Sequence, residues 1–156
     1  MLRSAAMAGN DEEVILAATS VLTDAKVAPE LENEARYYRA QSLVKVNQMA
    51  HAVADWQSLA QDTRNAYGAE AKYRLAQYLF DAGKTAEAEK EVLNYLEVST
   101  PHAYWLARSF VLLSDIYAKL DRKLEARQYL LSLKQNYQAD DDIAGMIESR
   151  LEKLNE

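Results

Sequence analysis

The sequence predicts an all-α protein built as an array of antiparallel helical hairpins, and three observations carry that prediction. Small residues keep a near-constant interval: Ala52, Ala88 and Ala126 stand 36 and 38 residues apart, and each follows another small residue, Ala40, Ala76 or Ser114, by twelve. Each alanine is followed at four and seven residues by large apolar side chains: Trp56 and Leu59, Val92 and Tyr95, Leu130 and Leu133. Apolar residues fall at helical spacing along the chain, with no β-branched alternation long enough for a strand. A period of roughly 30 to 45 residues on a helical pattern describes stacked hairpins rather than one closed core.

The elements follow in order. Residues 2–8 give a short first helix, with Gly9 at the turn. Asn10 caps the next helix, and Asp11, Glu12 and Glu13 complement its dipole. Val14, Ala18, Val21, Leu22 and Ala25 mark its apolar side. Pro29 suits the first turn of a helix over 29–46, which Asn47 ends. A helix over 49–62 follows. Tyr67-Gly68 opens another, which ends at Gly83. Thr85 is expected to cap a helix over 86–98, Thr100-Pro101 to start one reaching 119, and Asp121 to cap 122–138. The run Asp140-Asp141-Asp142 is expected to cap a last helix with Ile143, Met146, Ile147, Leu151 and Leu154 on one side.

Bulk properties narrow the function classes. Net charge is −6 with a pI near 5.0, the wrong sign for a nucleic-acid partner, which needs clustered Lys and Arg. No apolar run approaches the ~18 residues of a membrane span, so no membrane insertion is expected. With no Cys there is neither a disulfide nor a thiolate metal site. The start, MLRSAAMAGNDEE, does not have the form of a secretory signal. The expectation is therefore a cytoplasmic protein, or a piece excised from a longer chain. His51 and Asp55 are one helical turn apart but have no further ligands beside them, so they read as a solvated face. No Gly-rich phosphate loop and no catalytic constellation is present, and neither enzyme activity nor a cofactor is expected.

Residues 69–95 read AEAKYRLAQYLFDAGKTAEAEKEVLNY, and 107–133 read ARSFVLLSDIYAKLDRKLEARQYLLSL. These segments resemble tetratricopeptide repeats. Leu75-Ala76, Leu79, Ala88, Val92 and Pro101 fit the family pattern, as do Leu113-Ser114, Tyr117, Ala126 and Leu130. Residues 33–59 fit less well: Arg39 stands where Leu belongs, although Ala40, Leu43, Ala52 and Trp56 agree. The resemblance implies a right-handed superhelical array forming one domain over 1–156. Its parts are a partial repeat at 1–27, repeats at 29–64, 66–99 and 101–138, and a capping helix at 140–156. With YGAEAKYRLAQYLF at 67–80, STPHAYWLARSFVLLSDIY at 99–117 and an ending DDDI…RLEKL, the chain also looks like the C-terminal segment of long tetratricopeptide proteins of the bacterial cell envelope, which implies a periplasmic or envelope location if it is such a piece.

In this family the first helix of each hairpin lines a concave groove. The resemblance thus implies a protein- or peptide-binding strip of Glu34, Tyr37, Gln41 and Val44, then Glu70, Tyr73, Gln77 and Phe80, then Tyr104, Arg108, Val111 and Asp115, with Ala118 beyond. Packing of the tyrosines between repeats is the competing reading. Tyr78, Tyr95, Tyr117, Tyr129 and Trp56 are read as core, and Trp105 as lying near the groove rim. With Arg108 as the single cation at these positions, the family's terminal-carboxylate clamp is not supported. The alternative to a binding scaffold is a structural solenoid segment that spaces or self-assembles. The N-terminal end favours that alternative: Val14, Ile15, Leu16, Ala17, Ala18, Val21 and Leu22 surround one helix with apolar surface, open to self-association or to further repeats.

The register makes a direct prediction. Ala88→Leu places extra methylenes where two helices meet and should cost about 1–3 kcal/mol in urea unfolding. An unchanged midpoint would contradict the register.

Overall fold

The computed structural model describes residues 1–98 and 100–155. Ser99 and Glu156, the last residues of the expected 66–99 repeat and 140–156 capping helix, lie outside the described residues. The described residues form α1 (Leu2–Ala8), α2 (Asp11–Leu22), α3 (Pro29–Lys45), α4 (Met49–Leu59), α5 (Ala66–Asp81), α6 (Thr85–Glu97), α7 (Ala103–Lys119), α8 (Lys123–Asn136) and α9 (Ile143–Leu154), with no strand. None of these helices is long and apolar enough to cross a membrane. The chain divides into two compact units, Met1–Lys72 and Tyr73–Glu156.

The same turn closes four successive hairpins. Gly9, Asn47, Gly83 and Asp121 occupy the left-handed region at φ 70°, 65°, 81° and 60°. They stand 38, 36 and 38 residues apart. At each, the next residue's N–H reaches five residues back: Asn10 to Ala5 O (3.1 Å), Gln48 to Leu43 O (2.7 Å), Lys84 to Leu79 O (2.9 Å) and Arg122 to Tyr117 O (2.8 Å). The N–H of the left-handed residue itself bonds three back, to Ala6, Val44, Phe80 and Ala118. This is the Schellman arrangement, which satisfies the helix's last carbonyls and reverses the chain at once. Gly suits it, and Asn and Asp are the L-residues that tolerate it best.

That turn corrects two expected caps. Asp121 ends α7 rather than capping α8, and Thr85 is already inside α6. The cap positions belong to Lys84 and Arg122, neither of which caps through its side chain. Asn10 does cap α2, accepting from Glu13 N at 3.2 Å. Thr100 and Pro101 precede α7 instead of starting it; the Thr100 hydroxyl accepts from His102 N at 3.1 Å. At the last helix it is Asp141 whose carboxylate takes the N–H of Ile143 (2.9 Å). Helix α2 stops at Leu22, leaving Ala25 exposed outside it. Helix α4 stops at Leu59, short of 62, and α8 at Asn136, short of 138.

Gly68 does not open α5; Asn65 does, its side chain accepting from Gly68 N at 2.7 Å. Gly68 lies against the end of α4. A Cβ there would run into Asp62 O and lie 2.6 Å from Leu59 O. Only a residue without a side chain lets the backbones come so close.

In the first unit α1 packs on α2, α2 on α3 and α3 on α4. Leu2, Ala5, Val14, Ala17, Ala18 and Ala35 form one apolar cluster. The short first helix therefore covers much of the surface expected to be open: Val14, Ala17 and Ala18 are buried, and of the seven apolar residues only Leu16 is strongly exposed, at 71%.

Arg39, the misfit of the weak repeat, has a partner. Its guanidinium donates to both carboxylate oxygens of Asp55 on α4 at 2.8 and 2.6 Å, and to the Thr19 hydroxyl on α2 at 3.2 Å. The Asp55 side chain is 3% exposed. A bidentate ion pair thus replaces the apolar contact that Leu would make.

In the second unit the packing is apolar. Tyr73, Ala76, Ala88, Val92, Tyr95, Leu112, Leu113, Ile116, Tyr117 and Ala126 make one cluster across α5, α6, α7 and α8. Ala107, Val111, Leu130 and Leu133 make another with Ile143 and Ile147 of α9. Met146, Leu151 and Leu154 pack at its margin, so the last helix lays its apolar side on α7 and α8 as the sequence indicates. Ala52, Ala88 and Ala126 have no exposed surface, and all six large residues that follow them are buried. Tyr95 and Tyr117 are core as expected, while Tyr78 and Tyr129 are only half-buried.

Breaking the Arg39–Asp55 pair tests its role. Arg39→Leu alone leaves a buried carboxylate unpaired and should cost about 3 kcal/mol. Adding Asp55→Leu should recover most of that loss, because apolar replacement of a buried pair is often neutral or better. Urea unfolding of the two variants provides the comparison; equal losses would show that the pair's charges are immaterial.

Candidate functional site

The twelve expected groove residues are distributed over the two units. In the first, Glu34 is buried and locked: Arg3 donates to its two oxygens at 2.6 and 2.9 Å. Tyr37 is half-buried, with its ring 4.5 Å from that of Tyr67 and its hydroxyl donating to Glu70 at 3.1 Å. Gln41 is exposed and Val44 half-buried.

In the second unit, Tyr73 and Val111 are buried. These two, with Glu34, are packing or ion-pair residues rather than open contact positions. Their side chains face neighbouring elements of their own unit, which helical spacing alone does not reveal. Phe80 is half-buried against the core, with the Lys119 ammonium 5.4 Å from its ring centre. Ala118 is exposed.

The remaining side chains are joined. Arg108 on α7 donates to the Tyr73 hydroxyl on α5 and to the Tyr104 hydroxyl one turn back, both at 3.0 Å. Tyr73 in turn donates to Gln77 Oε1 (2.9 Å), and Gln77 Nε2 donates to Asp81 (2.8 Å). Tyr104 donates to the Asp142 carboxylate at 3.0 and 3.1 Å. Each link runs donor to acceptor, outward from one guanidinium to two carboxylates. Beside it, Arg150 of α9 donates to both oxygens of Asp115 on α7 at 2.8 and 3.0 Å.

Aromatic rings support this network. Tyr73 and Trp105 lie 5.7 Å apart, and Tyr104 meets Trp105 edge-on at 4.9 Å. Arg108 lies 4.8 Å from the Tyr73 ring centre, and Arg74 lies 5.5 and 5.4 Å from those of Tyr73 and Trp105. Contacts of this kind hold a guanidinium by the ring quadrupole. Burial works against the Arg108 charge, but its bonds to Tyr104 and Tyr73 outweigh it and its pKa is raised.

Asp81, Asp142, Arg74 and Arg150 join the expected residues here without having been identified in the sequence. Asp142 carried a signal only as part of an acidic run at a helix start. Tyr73 and Gln77, Gln77 and Asp81, and Tyr104 and Arg108 each stand one helical turn apart, the spacing at which helical neighbours bond. Trp105 is half-buried beneath them.

Asp55 is committed to Arg39, His51 lies 3.2 Å from Gln48, and no group of His, Cys, Asp and Glu among the described residues is arranged to hold a metal ion. Searches against protein-family models, curated proteins and solved structures returned no match.

The Glu34 carboxyl is held below its usual range by the hydrogen bonds from Arg3, against the opposing effect of burial. Because the folded pKa is depressed, its stabilising contribution is complete above the ordinary carboxylate value and is lost as pH falls through the lowered one. A carboxyl carbon titration by NMR should place Glu34 below the ordinary glutamate range, and Arg3→Gln should bring it back. High salt should narrow the difference, since Arg3 is largely exposed.

Proposed function

We propose that this chain is a tetratricopeptide-like interaction module that binds a protein segment along the face shared by α5, α7 and α9 of its second unit. One observation carries the reading. Gln77, Tyr104, Arg108 and Asp115 all lie on first helices of successive hairpins and are half-exposed, and each is fixed by hydrogen bonds to neighbours on that face. Side chains already ordered lose little entropy when a partner arrives. Tyr, Trp and Arg are also the residues that most often dominate binding energy.

The second reading, a structural segment that assembles with its own kind, draws on a different surface. Leu124 and Leu131 are 70% and 48% exposed, two turns apart on α8. A photo-crosslinking residue separates the two readings. Placed at Gln77, it should capture a foreign protein; placed at Gln128, between the two leucines, it should not. Homotypic crosslinks from 128 with none from 77 would favour assembly. Tyr73→Ala is unsuitable as a probe of the face, because it removes a buried ring at about 3–5 kcal/mol and would lose the fold along with the partner.

A further inference from the structure

Arg108 differs from most of the chain's arginines. Arg3, Arg36, Arg39, Arg64, Arg122 and Arg150 each lie against a carboxylate. Arg108 rests on two phenol oxygens, and among the described residues no carboxylate comes within ion-pair distance of it. A phenol accepts a hydrogen bond but brings no negative charge. The guanidinium therefore keeps its full charge and the donors it has not spent on the phenols, held half-buried over an aromatic shelf. Such a fork, fixed in place and without a counter-ion, is suited to a planar carboxylate.

We propose that Arg108, set between Tyr73 and Tyr104, is the docking point for a single Asp or Glu side chain of an extended protein segment, and that the residues flanking that acid are neutral or basic. The flanking requirement comes from the ends of the network. In one direction it terminates at Asp81, in the other at Asp142. A run of acids along the face would meet one or both of these carboxylates, whereas donors or cations on either side would find acceptors there. The strip continues past Arg108 both ways, so the segment carrying the acid runs through instead of ending at the fork. The inference rests on the reading of this face as the interface.

The test uses the 156-residue chain and peptides selected on it from a random display library. Selected peptides should share one acidic residue flanked by neutral or basic ones. Replacing that acid by its amide should weaken binding about tenfold, the scale of one charge-assisted contact. The same replacement should cost nothing further against Arg108→Gln. Arg108→Lys, which keeps the charge but not the fork, should lie between and serves as the probe if Arg108→Gln melts early. Peptides without any acid that still lose affinity on Gln77→Ala or Tyr104→Phe would overturn this inference and leave the interface standing. A requirement for an acidic run or for a free C-terminal carboxylate would also overturn it. Binding indifferent to Gln77, Tyr104 and Arg108 alike would remove the interface reading, and this inference with it.

Discussion

The fold depends on a close approach repeated along the chain: two helices meeting over small residues and joined by a turn that only a few residue types can make. Ala40 and Ala52, Ala76 and Ala88, Ser114 and Ala126 are all buried. The left-handed residue then reverses the chain with its last carbonyls already bonded, so the second helix starts with almost no loop. The two devices constrain one another. A short turn fixes where the second helix returns, and the small residues set how near it can lie. Ser114 shows that size rather than polarity governs the position: its hydroxyl donates to Val111 O in its own helix at 2.7 Å and asks nothing of its neighbour.

The two units fill the remaining space by different chemistry. The second relies mainly on aliphatic and aromatic side chains, with Arg150 on Asp115 and Arg108 on Tyr73 joining helices at its margin. The first places charged groups between its helices: Arg39 on Asp55, Arg3 on Glu34, and the Ser42 hydroxyl donating to Asp11 at 2.8 Å. Arg39 weakens the repeat pattern only when its partner is ignored. Sixteen residues later in the sequence Asp55 also departs from the apolar pattern, and the two departures cancel in space. A single-position comparison with a repeat consensus counts them as two faults.

The same logic separates two copies of one motif. Glu34-Tyr37-Gln41 and Glu70-Tyr73-Gln77 have similar spacing, yet Tyr37 remains half-exposed against Tyr67 while Tyr73 is buried beside Trp105. What differs is the neighbour each ring meets. Burial of Tyr73 turns its hydroxyl inward to take a bond from Arg108 and forward one to Gln77, and this orders the face used in the functional proposal.

By itself the sequence determined the helices, the hairpin period and the buried register, because these depend on local spacing and on which residues tolerate a left-handed turn. It placed Gly9, Asn47 and Gly83 at chain reversals and misassigned Asp121, since aspartate is suited equally to a helix start and to that turn. Likewise Thr85 was legible as a cap residue but not as one already inside its helix, for the preceding turn decides where the next helix begins. It also put Tyr104 and Arg108 on one face. Only tertiary structure decided which groove positions are buried, that Arg3 finds Glu34 and Arg150 finds Asp115, and that Asp142 shares a face with Tyr104 and Arg108. Those outcomes depend on residues about 30 or more positions apart being brought to hydrogen-bond distance, as Arg108 is to Tyr73 and Tyr104 to Asp142, and no local spacing encodes that approach.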